Sequence, residues 1–324
     1  MLRHTRAAGR GGAPRVAIVT LLGVFAAGQA AADVAVYQAR VPAPGAGDVA
    51  RTQGFGEALR VVAVRASGRP EAAANAMISA AAAEPAKYVQ QYATTSDRML
   101  KVGFDAGAVE GLLQRAGLPV WAAERPDVLV VLPATAVAAT SEVELAAEGR
   151  GVPIVWPQSQ IDPVAARNRI AGGDLGGVVG AGGRAAGAVL VGTGSDGQFE
   201  WSFAHAGEVT QARGGLQQGV RLAADTLAAR YAPPSTRSVT RHTVRVGGVT
   251  DVEAYAGLMS DLSSLSMVKA ISVEELAGDA VTLGLSLRGD LELLGRFVAL
   301  ESRLRPAAAV GDAARTRPDF LYQP

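Results

Sequence analysis

Residues 88–121, YVQQYATTSDRMLKVGFDAGAVEGLLQRAGLPVW, contain the clearest folding pattern in the chain. Two alternating runs, residues 88–94 and 99–104, flank a polar turn and predict a β-hairpin. Asp105 then stands at the N-cap position of a helix whose apolar residues recur at spacings of three and four. Gly117 predicts where this helix ends. The stretch therefore predicts a strand, a turn, a second strand and a capped helix.

The flanking sequence extends this unit into an N-terminal α+β domain over residues 33–122. Residues 35–41 alternate between apolar and polar positions and predict a first strand. Residues 54–66 and 71–84 have helical patterns, and both are followed closely by helix-ending residues. The predicted order of elements in this domain is therefore βααββα.

The remainder of the chain predicts two more domains, separated by a proline-containing linker. Residues 127–232 predict a small middle α/β domain, because apolar runs typical of buried strands alternate with helical segments. Its last element is a long helix predicted over residues 211–231. Residues 238–324 predict a C-terminal ferredoxin-like domain with the order βαββαβ, closed by a strand at residues 319–323. The sequence thus predicts a multidomain protein of mixed α+β and α/β class.

Residues 1–32 have the composition of a secretory signal peptide. Four arginines precede an apolar run over residues 16–27, and three alanines end the segment. We expect cleavage between Ala32 and Asp33 and export to the periplasm. The apolar run is shorter than the about 20 residues that a membrane-spanning helix needs, and we expect no transmembrane segment in the mature chain.

Composition limits the classes of function. The 324 residues are 49% hydrophobic and 19% charged, which is typical of a globular protein. The predicted signal contains four arginines and no acidic residue, so its removal changes 31 basic and 30 acidic residues to 27 and 30, a net charge of −3. Nucleic-acid binding requires a basic surface, and we expect none. The chain contains no cysteine, which excludes disulfides and cysteine-ligated metals.

Four short parts of the sequence form a family pattern. They are residues 36–42 (VYQARVP), 64–68 (VRASG), 88–92 (YVQQY), and 102–105 (VGFD) with 116–121 (AGLPVW). With these parts the chain resembles domain-of-unknown-function family 2066, which comprises uncharacterised periplasmic proteins of Gram-negative bacteria. The resemblance implies an envelope location and no particular activity. The middle part is also similar, at the level of fold alone, to small α/β domains of envelope accessory proteins such as the TolB N-terminal domain.

Three motifs suggest chemistry, and for each we prefer an interpretation without a catalytic or cofactor-binding role. Residues 192–197, GTGSDG, match G-x-G-x-x-G, but an alternating strand follows where a dinucleotide site needs a helix. We therefore interpret residues 195–197 as a hairpin turn. Residues 180–185, GAGGRA, are interpreted as a flexible loop and not as a phosphate loop. Ser266 and Lys269 match S-x-x-K without the partner motifs of the serine enzymes that use it.

Histidines and carboxylates also lack a catalytic arrangement. His205 and His242 are the two histidines beyond the predicted signal, and neither has a second ligand at metal-binding spacing. Two acidic pairs fit the ends of helices or strands. These pairs are Asp251 with Glu253 and Glu274 with Glu275. The sequence therefore predicts no catalytic, metal or cofactor-binding residues.

Five aromatic residues form the candidate binding face for a sugar or a peptide, because aromatic side chains anchor many interfaces. They are Tyr88, Tyr92, Trp121, Trp156 and Trp201. The alternative is that these residues belong to the core and to the strands, where aromatic residues are also common.

These observations predict a non-enzymatic interaction or accessory module of the periplasm, with a protein partner in the cell envelope and no cofactor. The alternative is a periplasmic protein that binds a small molecule or a glycan through its middle domain. A third interpretation is a hydrolase whose carboxylates act without a recognisable motif. A cleft with converging polar groups would favour the latter two, and a flat exposed apolar patch would favour the first.

Export gives a direct test of the N-terminal segment. We predict that the protein from its native cells begins at Asp33 and appears in the periplasmic fraction, because the signal is removed during export. Intact-mass measurement and osmotic-shock fractionation check this expectation. A protein that begins at Met1 and remains with the cytosol would contradict it.

Overall fold

The structure is a computed structural model and describes residues 36–45, 47–121, 124–195, 197–232, 239–300, 303–307 and 319–323. The predicted signal, with its cleavage site at Ala32 and Asp33, lies outside these residues. The described part of the chain contains nine α-helices and three β-sheets, so the fold is of the mixed α/β class. Among the described helices, none has the length and apolar character needed to cross a membrane.

The first sheet is antiparallel throughout and has the strand order β1–β3–β2. Its strands and helices are β1 (Gln38–Pro42), α1 (Asp48–Ser67), α2 (Ala76–Ala83), β2 (Val89–Thr94), β3 (Met99–Phe104) and α3 (Ala106–Arg115). The carboxylate of Asp105 caps α3 by accepting a hydrogen bond from the backbone N–H of Ala108 at 2.7 Å. The hairpin and the capped helix predicted over residues 88–121 are confirmed.

Two helix predictions in this region differ from the structure. Helix α1 begins at Asp48 and not at residue 54. The sequence did not indicate its first turns, because Gly54 and Gly56 lower the helix propensity of this segment. Gly56 allows a close contact with the segment that follows, since a Cβ there would lie 2.3 Å from the carbonyl oxygen of Ala82. The single helix predicted over residues 71–84 is interrupted at Asn75, whose extended backbone ends a 3₁₀ turn and whose side chain caps α2.

The second sheet has the order β5–β4–β6–β7–β8, with β5, β4 and β6 parallel and the last three strands antiparallel. Its elements are β4 (Val128–Val131), α4 (Thr140–Arg150), β5 (Ile154–Val155), α5 (Pro163–Ala171), α6 (Leu175–Gly182), β6 (Ala188–Ser195), β7 (Gln198–His205), β8 (Glu208–Gly214) and α7 (Leu216–Tyr231). Helices α4 and α7 pack on one face, where Val130 is buried. Helices α5 and α6 pack on the other face, where Val131 is buried.

The helix predicted over residues 211–231 is wrong in its first part. Residues 208–214 form the edge strand β8, which pairs with β7 along its whole length, and α7 begins at Leu216. The prediction of a flexible loop over residues 180–185 also differs from the structure. Helix α6 ends at Gly182, and Gly183 closes it in the left-handed conformation at φ 64°. Its glycine-rich sequence gave no helical signal.

The third sheet has the order β10–β11–β9–β13–β12. Its elements are β9 (Val239–Gly247), α8 (Val252–Ser264), β10 (Val268–Ala277), β11 (Ala280–Arg288), α9 (Leu291–Val298), β12 (Leu304–Pro306) and β13 (Phe320–Tyr322). The strand predicted at residues 319–323 contains β13, which runs parallel to β9. Two short strands therefore follow α9, where the βαββαβ pattern predicts one. Strand β12 has three residues, too few to show a period of two.

The second and third sheets share one hydrophobic core, and the described residues form one compact unit. The ring of Tyr231 at the end of α7 lies 5.5 Å from the ring of Phe297 in α9. The guanidinium of Arg296 donates to the carbonyl of Arg230 at 3.0 Å. Helices α7 and α9 therefore join the two sheets.

The connection from the first sheet to the second is also buried. Trp121 is fully buried, and the Arg125 guanidinium lies 3.7 Å from the centre of its ring. Arg125 also donates to the carbonyls of Arg65 at 2.8 Å and of Gly151. Buried Arg65 donates to Glu148 in α4 at 3.1 Å. Burial lowers the pKa of both Arg125 and Arg65, and the carbonyl and carboxylate acceptors compensate for the lost water.

A buried carboxylate joins α3 to the third sheet. Glu110, whose side chain is 10% exposed, accepts hydrogen bonds from Arg288 at 2.9 Å and from Lys269 at 3.3 Å. It also accepts from the hydroxyl of Tyr37 at 3.0 Å. Burial, together with the charge of Glu110, raises the pKa of Tyr37. One carboxylate therefore neutralises two cations from another sheet.

We predict that Glu110→Gln lowers the free energy of unfolding by about 2–4 kcal/mol, because it leaves two partly buried cations without their acid. Urea denaturation measures the effect. The matched control is Glu292→Gln, which breaks an exposed pair with Arg296 one helical turn away and should cost less than about 0.5 kcal/mol. Equal losses in the two variants would contradict the assignment of Glu110 as a structural anchor.

Candidate functional site

A pocket of about 410 Å³ opens at the carboxyl ends of β4 and β5. The end of β4 forms an apolar floor, and the loop after β5 forms a rim in which half of the lining residues are polar. The described residues that line it are Val130, Val131, Leu132, Ala134, Thr140, Trp156, Pro157, Gln158, Ser159, Gln160 and Ile161. The chain leaves β4 by one face of the sheet and returns from β5 by the other. Ligands of open α/β sheets bind at the carboxyl edge beside such a reversal.

The rim of the pocket is fixed to the end of α6. The backbone N–H of Gln158 donates to the carbonyl of Gly182 at 2.8 Å, and the hydroxyl of Ser159 donates to the carbonyl of Ala181 at 3.0 Å. These bonds use carbonyl groups at a helix end that have no partner within the helix. The closing turn of α6 therefore positions the polar loop over the pocket.

One wall of the pocket is the indole of Trp156. This side chain is partly buried and packs against the core shared by the second and third sheets. Its Nε1–H donates to the carboxylate of Glu144 in α4 at 2.9 Å. The packing and the hydrogen bond together fix the plane of the ring.

The pocket is uncharged and mainly apolar, with a few polar groups from one loop and from Thr140. None of the described residues that line it has an ionisable side chain. The described part of the chain also contains no group of three His, Cys, Asp or Glu residues that could hold a metal ion. What the pocket offers is an apolar floor, an aromatic wall, and amide and hydroxyl groups on the rim.

The five aromatic candidates do not form one face. Tyr88, Trp121 and Trp201 are 6%, 0% and 1% exposed, so they belong to the core. Tyr92 is exposed on β2, where its ring packs edge-on against a neighbouring phenylalanine. Trp156 alone among the five lines the pocket. Exposure of an aromatic residue depends on the tertiary packing, which its local sequence does not contain.

Sequence reasoning missed the polar residues of the rim. Gln158, Ser159 and Gln160 belong to no motif, and neither does Thr140, the first residue of α4. The available signal was positional, because the three loop residues follow the carboxyl end of a parallel strand.

The motif-like segments have structural roles. Residues 192–195 end β6 and pair with β7, which follows as a strand, as predicted. Asp196, in the predicted turn, lies outside the described residues. The hydroxyl of Ser266 donates to Glu124 at 3.0 Å, whereas Lys269 binds Glu110. Ser266 and Lys269 of the S-x-x-K match therefore bind different carboxylates.

One residue of each acidic pair makes a structural contact. Asp251 caps α8 by accepting from the N–H of Ala254 at 2.8 Å. Glu274 accepts from Arg241 at 3.0 Å across the third sheet. Their neighbours Glu253 and Glu275 are exposed. These contacts agree with the interpretation of both pairs as structural groups.

The two histidines lie in different sheets. His205 is buried, with its Nδ1 2.8 Å from the carbonyl of Gly187 and its Nε2 2.8 Å from the hydroxyl of Tyr231. A carbonyl only accepts, so Nδ1 carries the proton and Nε2 accepts from Tyr231. Burial lowers the pKa of His205, and the charge of Arg230 lowers it further. His242 lies 2.8 Å from the hydroxyl of Thr240.

Comparison with known proteins identifies a family for one part of the chain. Residues 30–122 match the family described as Domain of unknown function (DUF8605). The resemblance to domain-of-unknown-function family 2066 is therefore wrong, because the matching family is a different one. The parts that suggested it lie in the same region and were too short to separate two families. No curated protein and no solved structure shows significant similarity to the chain.

We predict that stability decreases when the pH falls below about 6.5, the ordinary pKa of histidine. Because burial lowers the pKa of folded His205, the unfolded chain binds the proton first, and the free energy of unfolding declines as pH falls through the folded-state pKa. Urea denaturation of the protein without residues 1–32, at about pH 7.5 to pH 5, measures this slope.

Other groups also titrate in this range, so the test compares variants. His205→Gln should reduce the slope, whereas His242→Gln, at the other histidine, should retain it. Glu208 and Arg230, the charged groups near His205, are unchanged in both variants. An unaltered slope in His205→Gln would contradict the assignment.

Proposed function

We propose that this chain is an exported, non-enzymatic protein of the periplasm that binds a small uncharged molecule in its middle part. The observation that supports this function is the pocket at the carboxyl ends of β4 and β5, whose lining has no ionisable side chain. Its volume of about 410 Å³ lies within the range of about 300–1,000 Å³ that is common for small-molecule sites. An apolar floor with a few polar groups is also the usual composition of such a site.

The proposed location rests on the sequence. Residues 1–32 combine a basic start, an apolar run and a small-residue end, which is the pattern of a secretory signal. The lack of cysteine is compatible with an oxidising compartment. We propose three domains within the exported chain, at residues 33–122, 127–232 and 238–324, with the ligand in the middle domain. The last two pack against each other through the hydrophobic core that their sheets share. The last domain is proposed to be a ferredoxin-like unit extended by one strand.

The proposal of a non-enzymatic role is supported by how the ionisable candidates are used. Glu110 and Lys269 bind each other, His205 is held between a carbonyl and a tyrosine, and Asp251 caps a helix. Each of these contacts belongs to the packing of the fold. None of the four residues lines the pocket.

A second candidate function is the interaction module, which one feature of the third sheet favours. Strand β10 is the outer strand of that sheet, and its Val273 and Leu276 are 42% and 68% exposed. An envelope protein with an extended apolar segment would add a strand at this edge. Two bulges and the neighbouring acidic residues partly protect it from unspecific pairing. A pull-down from cross-linked envelope fractions should recover such a partner with the wild-type protein. The variant Leu276→Glu should not recover it, because a charge then replaces an apolar side chain on this strand.

We predict that at least one uncharged polar compound raises the melting temperature of the mature protein with increasing concentration, because a ligand that binds only the folded state stabilises it. A thermal-shift screen of sugars, polyols, nucleosides and neutral amides measures this, with phosphorylated and zwitterionic compounds beside them. The variant Ala134→Trp fills the pocket and should lose the response. Thr135→Trp adds the same side chain at a neighbouring residue that does not line the pocket and should retain it.

Two results would contradict the pocket as the ligand site. One is a response that is the same in Ala134→Trp and in the wild type. The other is a response to charged compounds alone, because the lining residues offer no charge to compensate them.

A further inference from the structure

We propose that the ligand of this pocket is a neutral saccharide unit, held with one face of its ring against the indole of Trp156. The inference rests on the proposed function and narrows it to one class of ligand. Four features of the pocket support it: the lack of charge, the kind of polar groups on the rim, the fixed aromatic wall, and the anchored loop.

The lack of charge excludes several common ligands. Transfer of a phosphate, a carboxylate or an ammonium group out of water is costly unless an opposite charge or several hydrogen bonds replace the water. None of the described lining residues supplies such a charge. Nucleotides and free amino acids are therefore poor ligands for this site, and uncharged compounds are favoured.

The polar groups of the rim match hydroxyl groups. A side-chain amide offers both a donor and an acceptor, and so does a sugar hydroxyl. The side-chain amides of Gln158 and Gln160 have no hydrogen-bond partner among the described residues, which leaves both ends of each amide for a ligand. The hydroxyl of Ser159 already donates to Ala181, so it presents an acceptor. A ligand rich in hydroxyl groups satisfies such a mixture better than one with donors or acceptors alone.

The fixed indole supplies the apolar contact that a sugar ring needs. A pyranose ring has a face of C–H groups, which gains dispersion energy and loses contact with water when it lies on an aromatic ring. The hydrogen bond of 2.9 Å from Nε1 of Trp156 to the Glu144 carboxylate holds the plane of the indole. A ring held in place loses little entropy when the ligand arrives.

The loop that carries the rim is likewise fixed before the ligand binds. Gln158 and Ser159 are tied to the last turn of α6 through the carbonyls of Gly182 and Ala181. Association therefore orders the ends of two glutamine side chains, and not the loop backbone. Preorganisation of this kind favours measurable affinity in a small site.

The fluorescence of Trp156 provides the test. Trp121 and Trp201 are 0% and 1% exposed, so Trp156 is the tryptophan that responds to a ligand in the pocket. The probes are glucose, N-acetylglucosamine, maltose and cellobiose, titrated into the mature protein beside glucose 6-phosphate, adenosine and glutamate. We expect a saturable change with at least one of the four uncharged sugars, and calorimetry should give the same affinity.

Two variants separate a binding role from a folding role. Measured by calorimetry, because this variant lacks the indole that reports binding, Trp156→Ala should weaken sugar binding at least about tenfold. Circular dichroism and the melting temperature show whether it remains folded. Gln160→Ala removes an exposed amide, should fold like the wild type, and should weaken binding about three- to tenfold. Thr135→Trp, beside the pocket, should bind as the wild type does.

The outcomes distinguish this inference from the function on which it rests. Sugar binding that falls in Gln160→Ala and Trp156→Ala supports both. Binding of adenosine without any sugar, lost in Ala134→Trp, overturns the saccharide and retains the pocket as a site for uncharged molecules. Sugar binding that is unchanged in Gln160→Ala and Trp156→Ala overturns the saccharide site in this pocket. No binding by any uncharged probe or by the wider screen overturns both.

Discussion

The burial of Trp121 beneath Arg125 is the contact on which the arrangement of the three sheets depends. The indole is fully buried, and its backbone N–H donates to the carbonyl of Ala66 at 2.7 Å, so the end of α1 holds the connection in place. Gly68 makes room for it. A Cβ at that position would lie 2.9 Å from the Trp121 ring and 2.5 Å from the Cβ of Ala228 in α7. The positive φ of 67° at Gly68 also suits glycine.

Two ion pairs beyond this contact connect helices α1, α4 and α7. Arg65 reaches from α1 to Glu148 of α4, and Arg150 of α4 pairs with Asp225 of α7 at 2.7 Å. Helix α4 is therefore held from two sides. It also supplies Glu144, which orients Trp156, and it begins at the edge of the pocket. The geometry of the candidate site thus depends on charged contacts that lie away from it.

Local sequence predicted the elements whose signals are local. Asp105, Asp251 and Asp290 each precede an apolar period of three and four residues, and each caps a helix in the structure. The missed elements lack such signals. Strand β8 is an exposed edge with few apolar residues, and α6 is rich in glycine. Their stability comes from pairing with β7 and from packing on the second sheet, which appear only after the chain has folded. The pocket was missed for the same reason, since the end of β4 and the loop after β5, two separate segments of the sequence, form it.

At Trp121, the boundary of the family match differs from the boundary of the hydrophobic core. The segment that matches a sequence family ends at residue 122, immediately after this tryptophan. The side chain itself belongs to the core shared by the second and third sheets, beside residues of α7. The segment that matches the family is therefore smaller than the unit that buries Trp121 in this chain. If residues 36–121 were expressed alone, Trp121 would lose its contacts with the core shared by the second and third sheets.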